Sequence, residues 1–452
     1  MARLFGTDGV RGIANADLSC ELAMKIGAAG ASVLTSEVHN PRILIGMDTR
    51  LSGDMLRAAL TAGICSVGGD VIDVGVIPTP AMAYLVRKYD ADAAVMISAS
   101  HNSMEYNGIK WFNAHGYKLS DKIEDMIEKM VCSDAELTRP TGSDVGHVII
   151  AKRAEEEYKE FLNSMAACRF NGLNVALDCA NGASSSIALD VFKKLGACVT
   201  SRADEPNGSN INEMCGSTHP EHLQELVRSS DADVGFAFDG DADRLIATDE
   251  LGNIVDGDRI MGLCALAMKH MGTLKSDTLV VTVMSNLGLK KTMQQYGIKL
   301  EETNVGDRYV LECMMKNGYS LGGEQSGHVI FLDKNTTGDG MLTAIQVLNV
   351  LVASGMRMSQ LAEQIKIYPQ VLANVMVSNA NKSAAIQDAE MADCIRTIEA
   401  RLGDRGRVLV RASGTEPVIR IMIEGQDEDE IREDAVTIAR ILVKNHNGKI
   451  KS

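Results

Sequence analysis

The chain has 452 residues, with 45 Lys and Arg against 60 Asp and Glu, for a net charge of −15. That length exceeds one ordinary core and predicts roughly two to four domains. The acidic balance argues against nonspecific nucleic-acid binding, which needs cationic surface, but leaves room for a local cationic pocket for a small anion.

Hydrophobic residues make up 45% and aromatics 4%, with 24 Met, so the expected cores are aliphatic and Met-rich. Ten cysteines are scattered without a Cys-x-x-Cys pair. That spacing predicts mostly reduced, buried thiols rather than a zinc site or a disulfide framework. The opening MARLFGTDGVRG has no apolar signal core, and no apolar run approaches the roughly 20 residues of a membrane span. A cytoplasmic protein with no membrane partner is expected.

In chain order, residues 18–33 have helical periodicity, with Asp17 a plausible N-cap. RILIGMD (42–48) reads as a strand, 52–67 as a helix and VIDVGVI (71–77) as a second strand. Pro80 opens the next helix, a favoured place for Pro. The apolar run Ala93 to Ile97 reads as a buried strand that ends in Ser98-Ala99-Ser100-His101-Asn102. Open α/β sheets place their chemistry at that end of a strand. The pattern then restarts twice, through NVALDCANGASSS and VGFAFDGDADR, and through helix 257–271, TLVVTVMSN, helix 287–296 and KLEETNV. From Pro369 the order changes to strand, helix 382–401, strands RVLVRA and VIRIMIEG, and helix 427–445. The expected fold class is α/β. Three α/β domains with mixed, mainly parallel sheets (1–150, 151–254, 255–368) precede a smaller α+β domain (369–452).

Several loops carry candidate chemistry. Asp239, Asp241 and Asp243 lie at i, i+2 and i+4 in Asp239-Gly240-Asp241-Ala242-Asp243-Arg244. Three carboxylates on a curled loop can converge on a hard cation, and few protein oxygens suit Mg²⁺. An EF-hand is excluded because Arg244 stands where that loop needs Gly. Gly322-Gly323-Glu324-Gln325-Ser326-Gly327-His328 places Glu324 and Ser326 two apart, able to meet sugar hydroxyls, and His328 could hold phosphate or move a proton. Arg411-Ala412-Ser413-Gly414-Thr415-Glu416-Pro417, with Arg420 beyond it, offers the hydroxyls, amides and guanidiniums a phosphate monoester needs. The opening loop Phe5-Gly6-Thr7-Asp8-Gly9-Val10-Arg11-Gly12 offers Arg11. A hairpin through Asn107-Gly108-Ile109-Lys110 could return Lys110 beside Ser100. Taken singly, each loop also reads as a solvated turn.

Taken together and in order, SASHN with NGIK, DGDADR, GGEQSGH and RASGTEP closely resemble the α-D-phosphohexomutases, over essentially the whole chain. The resemblance implies four domains around a central cleft. It implies that Ser100 is phosphorylated and that Asp239, Asp241 and Asp243 hold Mg²⁺ with a phosphoserine oxygen. It assigns the sugar ring to Glu324 and Ser326. It assigns the nonreacting phosphate to Arg411, Ser413, Gly414, Thr415 and Arg420, and the lining of the transfer site to Arg11, His101, Lys110, Arg244 and His328. Lys110 is expected as general base, its pKa lowered by adjacent cations, with His328 second.

FGTDGVRG, Gln325 and Val305-Gly306-Asp307-Arg308-Tyr309 point to the branch acting on glucosamine phosphates. That branch passes through a sugar bisphosphate and feeds UDP-N-acetylglucosamine synthesis. Glucose or mannose phosphates remain alternatives, as do a Mg²⁺-dependent phosphatase and a phosphosugar sensor. The state is expected to be monomer or homodimer. Family members commonly read SHNP and carry Asp before NGIK. Here Ser103 and Tyr106 stand there, which puts the rigidity of the Ser100 turn in question.

Overall fold

The structure is a computed structural model that describes residues 3–6, 8–34, 40–133, 137–413 and 417–451. It divides into two compact units, residues 1–284 with 296–364, and residues 285–295 with 365–452.

The first unit holds three sheets. The first has six strands in the order Val10–Ile13, Tyr106–Asn113, Ala93–Ile97, Arg42–Met47, Asp70–Val76 and Val148–Ile150. Ala93–Ile97, Arg42–Met47, Asp70–Val76 and Val148–Ile150 run parallel. Tyr106–Asn113 turns back antiparallel to Ala93–Ile97 and to Val10–Ile13. The second sheet is ordered Ile254–Val255, Leu245–Asp249, Val234–Phe238, Asn174–Asp178, Cys198–Arg202. The third is ordered Lys299–Thr303, Thr278–Thr282, Leu321–Gly323, Val329–Phe331. Each keeps a parallel centre and an antiparallel edge, so the expected mixed, mainly parallel α/β architecture stands. Ala93–Ile97, Val234–Phe238 and Thr278–Thr282 are buried throughout. Central strands covered on both faces need such uninterrupted apolar runs.

Small residues set how closely the helices approach. Helix Cys20–Leu34 packs on Gly53–Cys65. A Cβ on Gly27 would sit 2.6 Å from Leu60 O, and one on Gly63 would overlap Met24 O. The Gly63 neighbour is backbone and cannot swing away. Helix propensity alone favours Ala over Gly by about 1 kcal/mol. Gly63→Ala is nevertheless expected to lower stability by about 3 kcal/mol, because overpacking outweighs propensity. Urea unfolding checks this, and an unchanged or higher midpoint contradicts it.

The second unit carries an all-antiparallel sheet, Gly406–Ala412, Val418–Gly425, Gln370–Met376, Lys449–Lys451, with helices Ala389–Leu402 and Glu428–His446 contributing to its core. The single helix expected over 382–401 is two, Lys382–Ile386 and Ala389–Leu402. Asp388 breaks it by accepting from Met391 N as an N-cap. All ten cysteines are free, but only Cys179, Cys215 and Cys264 are buried, fewer than composition predicts.

Candidate active site

Ser100 follows the buried strand Ala93–Ile97 and takes a left-handed conformation, φ 54°. Its Oγ donates to Asp239 Oδ2 at 2.6 Å and lies 3.3 Å from His101 Nδ1. Its amide donates to Ser98 Oγ at 2.9 Å, and Ser98 Oγ donates to Asp48 Oδ2 at 2.7 Å. Ser98 is therefore occupied in holding the turn.

Asp239 follows the buried strand Val234–Phe238. One carboxylate oxygen each from Asp239, Asp241 and Asp243 lies within 4.8 Å of the other two. Gly240 lets this loop close on Ser100, since a Cβ there would meet Ser100 O at 2.6 Å. Asp241 Oδ2 accepts from Thr79 Oγ1 at 2.6 Å and from Lys110 Nζ at 2.8 Å. Asp241 Oδ1 and Asp243 Oδ1 are buried with no hydrogen-bond partner among the described residues. Burial, with Asp243 and Asp241 beside it, pushes the Asp239 carboxyl up to about 8. Three crowded carboxylates with orphaned oxygens and no thiol or imidazole among them fit a hard divalent cation.

Cations surround the triad. The Nε atoms of Arg11 and Arg244 are buried without hydrogen-bond acceptors among the described residues. Arg244 lies 3.9 Å from Asp243 and donates its amide to Asp239 Oδ1 at 3.2 Å. Orphaned donors beside orphaned acceptors suit a bound anion next to a bound cation. Burial, then Arg244 and Arg11, push His101 down to about 4, so it is neutral at pH 7.

Strand Tyr106–Asn113 does return Lys110 to this site, in register with Met96. Its charge state differs from the expectation. Burial alone would lower its pKa, but Asp241 and Asp8, at 2.8 and 3.1 Å, hold it above its ordinary value. Lys110 is thus a fixed cation, and the expectation of a depressed, base-like amine is corrected.

His328 Nδ1 lies 3.5 Å from Asp243, and its Nε2 accepts from Gly338 N at 3.1 Å. Burial opposes protonation and Asp243 outweighs it, raising the pKa. The Gly338 bond nevertheless needs a lone pair on Nε2, so the geometry assigns a neutral ring with Nδ1–H toward Asp243. Glu324 Oε1 accepts from Gly306 N at 3.1 Å, and burial raises its pKa. Ser326 is exposed on the same turn.

The sequence reading missed a second layer of charges. Lys118 bridges Asp8 at 2.6 Å and Asp307 at 2.5 Å. Asp8 also pairs with Arg11, and Asp307 lies 3.5 Å from His328 Nε2. Against burial, Lys110, Lys118 and Arg11 keep the Asp8 carboxyl well below its usual range. Asp48 and Arg50 form a fully buried ion pair at 2.9 Å. Their signal was present: MDTR puts charge directly after the apolar run of a buried strand.

In the second unit, Arg411 and Arg420 face each other across neighbouring strands. Burial and Arg420 lower the pKa of Arg411. Opposed guanidiniums are unfavourable alone and suit a dianion. Ser413 is buried, its amide donating to Val418 O at 2.9 Å. Gly414 and Thr415 lie outside the described residues.

The phosphoglucomutase/phosphomannomutase family matches the chain in four parts: alpha/beta/alpha domain I over residues 2–138, domain II over 156–252, domain III over 256–368 and the C-terminal domain over 372–441. The chain belongs to this family. Phosphoglucosamine mutase of Clostridium acetobutylicum is 54% identical over 448 residues, covering 99% of this chain and 100% of that protein. A phosphoglucomutase/phosphomannomutase family protein from Burkholderia thailandensis has the same fold, with a TM-score of 0.81 at 24% identity, covering 98% of this chain and 97% of that one. Aspergillus fumigatus N-acetylphosphoglucosamine mutase, in complex with GlcNAc-6P and magnesium, shares the fold at a TM-score of 0.71 and 18% identity, over 97% and 95% of the two chains. Among the described residues no helix is long and apolar enough to cross a membrane.

Proposed function

We propose that the chain interconverts glucosamine 6-phosphate and glucosamine 1-phosphate through phosphorylated Ser100 and a bisphosphate intermediate. The observation that carries this reading is the placement of Ser100 Oγ 2.6 Å from Asp239, inside the carboxylate triad. The choice of sugar is supported by relatives such as the Clostridium acetobutylicum phosphoglucosamine mutase.

Phosphoryl transfer asks for positioning and charge neutralisation rather than strong covalent chemistry. Ser100 carries the phosphoryl group. Asp239, Asp241 and Asp243, with a phosphoserine oxygen, would hold Mg²⁺, which when bound draws charge from the transferring oxygens. Arg11, Arg244 and Lys110 add fixed positive charge, and His101 and His328 complete the lining. Glu324 and Ser326 take the sugar hydroxyls. Arg411, Ser413, Gly414, Thr415 and Arg420 take the phosphate that is not reacting. After transfer the bisphosphate turns over, so that Ser100 recovers its phosphoryl group from the other end. A water-driven phosphatase would have no use for a second phosphate clamp.

A coupled assay with glucosamine, glucose and mannose 6-phosphates tests the substrate. We expect kcat/KM for the amino sugar to exceed the others by about tenfold or more, as polar discrimination at one ring position supplies. A higher kcat/KM on glucose 6-phosphate contradicts the reading.

A further inference from the structure

A left-handed conformation is unfavourable for serine, so something outside Ser100 must hold it. Two side chains clasp the turn. The Arg50 guanidinium donates Nε–H to Asp48 Oδ2 at 2.9 Å. Its two amino groups reach four carbonyls between Ser100 and the start of strand Tyr106–Asn113: Ser100 O at 3.1 Å, Asn102 O at 2.8 Å, Tyr106 O at 3.0 Å, and Ser103 O. Every N–H of the fork therefore has an acceptor. Asn212, a buried side chain on the segment after Cys198–Arg202, donates Nδ2–H to Ser100 O at 2.8 Å and Asn102 O at 3.0 Å. On the other side, Asp48 orients Ser98 Oγ, which accepts the Ser100 amide.

We propose that Asp48, Arg50, Ser98 and Asn212 are positioning residues that fix the Ser100 backbone so that its Oγ stays aimed at the carboxylate triad. None of them touches the reacting oxygen. The frame explains how the turn stays rigid with Ser103, which has no fixed φ, following Asn102: Arg50 holds the Ser103 carbonyl directly. It also ties the loops that follow strands of two sheets, because Arg50 follows strand Arg42–Met47 of the first and Asn212 lies on the segment after strand Cys198–Arg202 of the second. This inference rests on the mutase reading above.

Asn212→Asp tests it. Asp keeps the shape and tolerates the left-handed φ of 57° at that position, but turns a donor into an acceptor facing two carbonyls. Ser98→Ala, which removes one hydroxyl, is the companion variant should Asn212→Asp fold poorly. Each is mixed with glucosamine 1,6-bisphosphate, and the mass gain on Ser100 is followed in time beside the wild type. We expect loading of Ser100 to slow about 30-fold in Asn212→Asp and about tenfold in Ser98→Ala, with KM for glucosamine 6-phosphate within about twofold, as for a misplaced reacting group. Wild-type loading per folded molecule in both variants, whatever their melting temperatures, overturns the inference. Failure of the wild type itself to load overturns the mutase reading, and this inference with it.

Discussion

Ser100→Ala is expected to reduce mutase turnover by about 10⁴-fold or more, because the group that forms the covalent intermediate is gone. The other serine of this stretch cannot stand in. Ser98 Oγ is committed to Asp48 and to the amide of residue 100. Its side chain is fully buried, one residue short of the turn. The substitution removes a single oxygen whose hydrogen bond runs to Asp239. Losing one such bond shifts stability by about 1 kcal/mol. The variant should therefore fold, and should still bind glucosamine 6-phosphate with little change in Kd. Steady-state turnover beside calorimetric binding checks both halves. Full turnover in Ser100→Ala contradicts the phosphoserine mechanism.

Asp241→Asn is expected to cost about 10³-fold in kcat, the scale of losing a charge that organises metal and transition state. Asp241 Oδ2 accepts from both Thr79 and Lys110, and its other oxygen has no partner among the described residues. Asn presents either an amide N–H to the Lys110 ammonium or a neutral oxygen in place of a charged one. Lys110, 2% exposed, then keeps only Asp8 as a charged partner within 4 Å among the described residues. Breaking a buried pair in this way costs about 3 kcal/mol of stability. The metal role separates from that structural cost by unfolding with and without Mg²⁺. A ligand that binds only the folded state stabilises it, by about 2.7 kcal/mol at a hundredfold excess over Kd. Wild type should gain that stabilisation, and Asp241→Asn should gain little. Equal gains in the two proteins contradict the assignment of Asp241 to the metal.

What the sequence revealed and what it hid divide along range. The strands that deliver Ser100 and Asp239 are short, uninterrupted apolar runs, and their polar ends announced the site. The Lys110 hairpin was legible because its two strands are neighbours in the chain. The charge on Lys110 was not, because one of its carboxylates comes from 131 residues away. The cations expected to line the transfer site suggested a lowered pKa; two carboxylates distant in sequence but 3.1 and 2.8 Å away in space reversed it. The Asp8–Lys118–Asp307 bridge spans separations of 110 and 189 residues, with no local spacing to betray it. Asp307 stood in plain view in VGDRY, but only as a mark of resemblance. The break at Asp388 was hidden for the opposite reason: an N-cap inside a helical pattern looks like one more polar residue.

The most direct test of the central claim follows the phosphoryl group itself. Enzyme loaded on Ser100 with glucosamine 1,6-bisphosphate is freed of excess sugar, then given glucosamine 6-phosphate, and the products are resolved by mass. The account predicts that the mass gain leaves Ser100 as the sugar bisphosphate and glucosamine 1-phosphate appears, with little inorganic phosphate. Release of the same group as inorganic phosphate, with no bisphosphate formed, would mean transfer to water and would contradict the mutase reading.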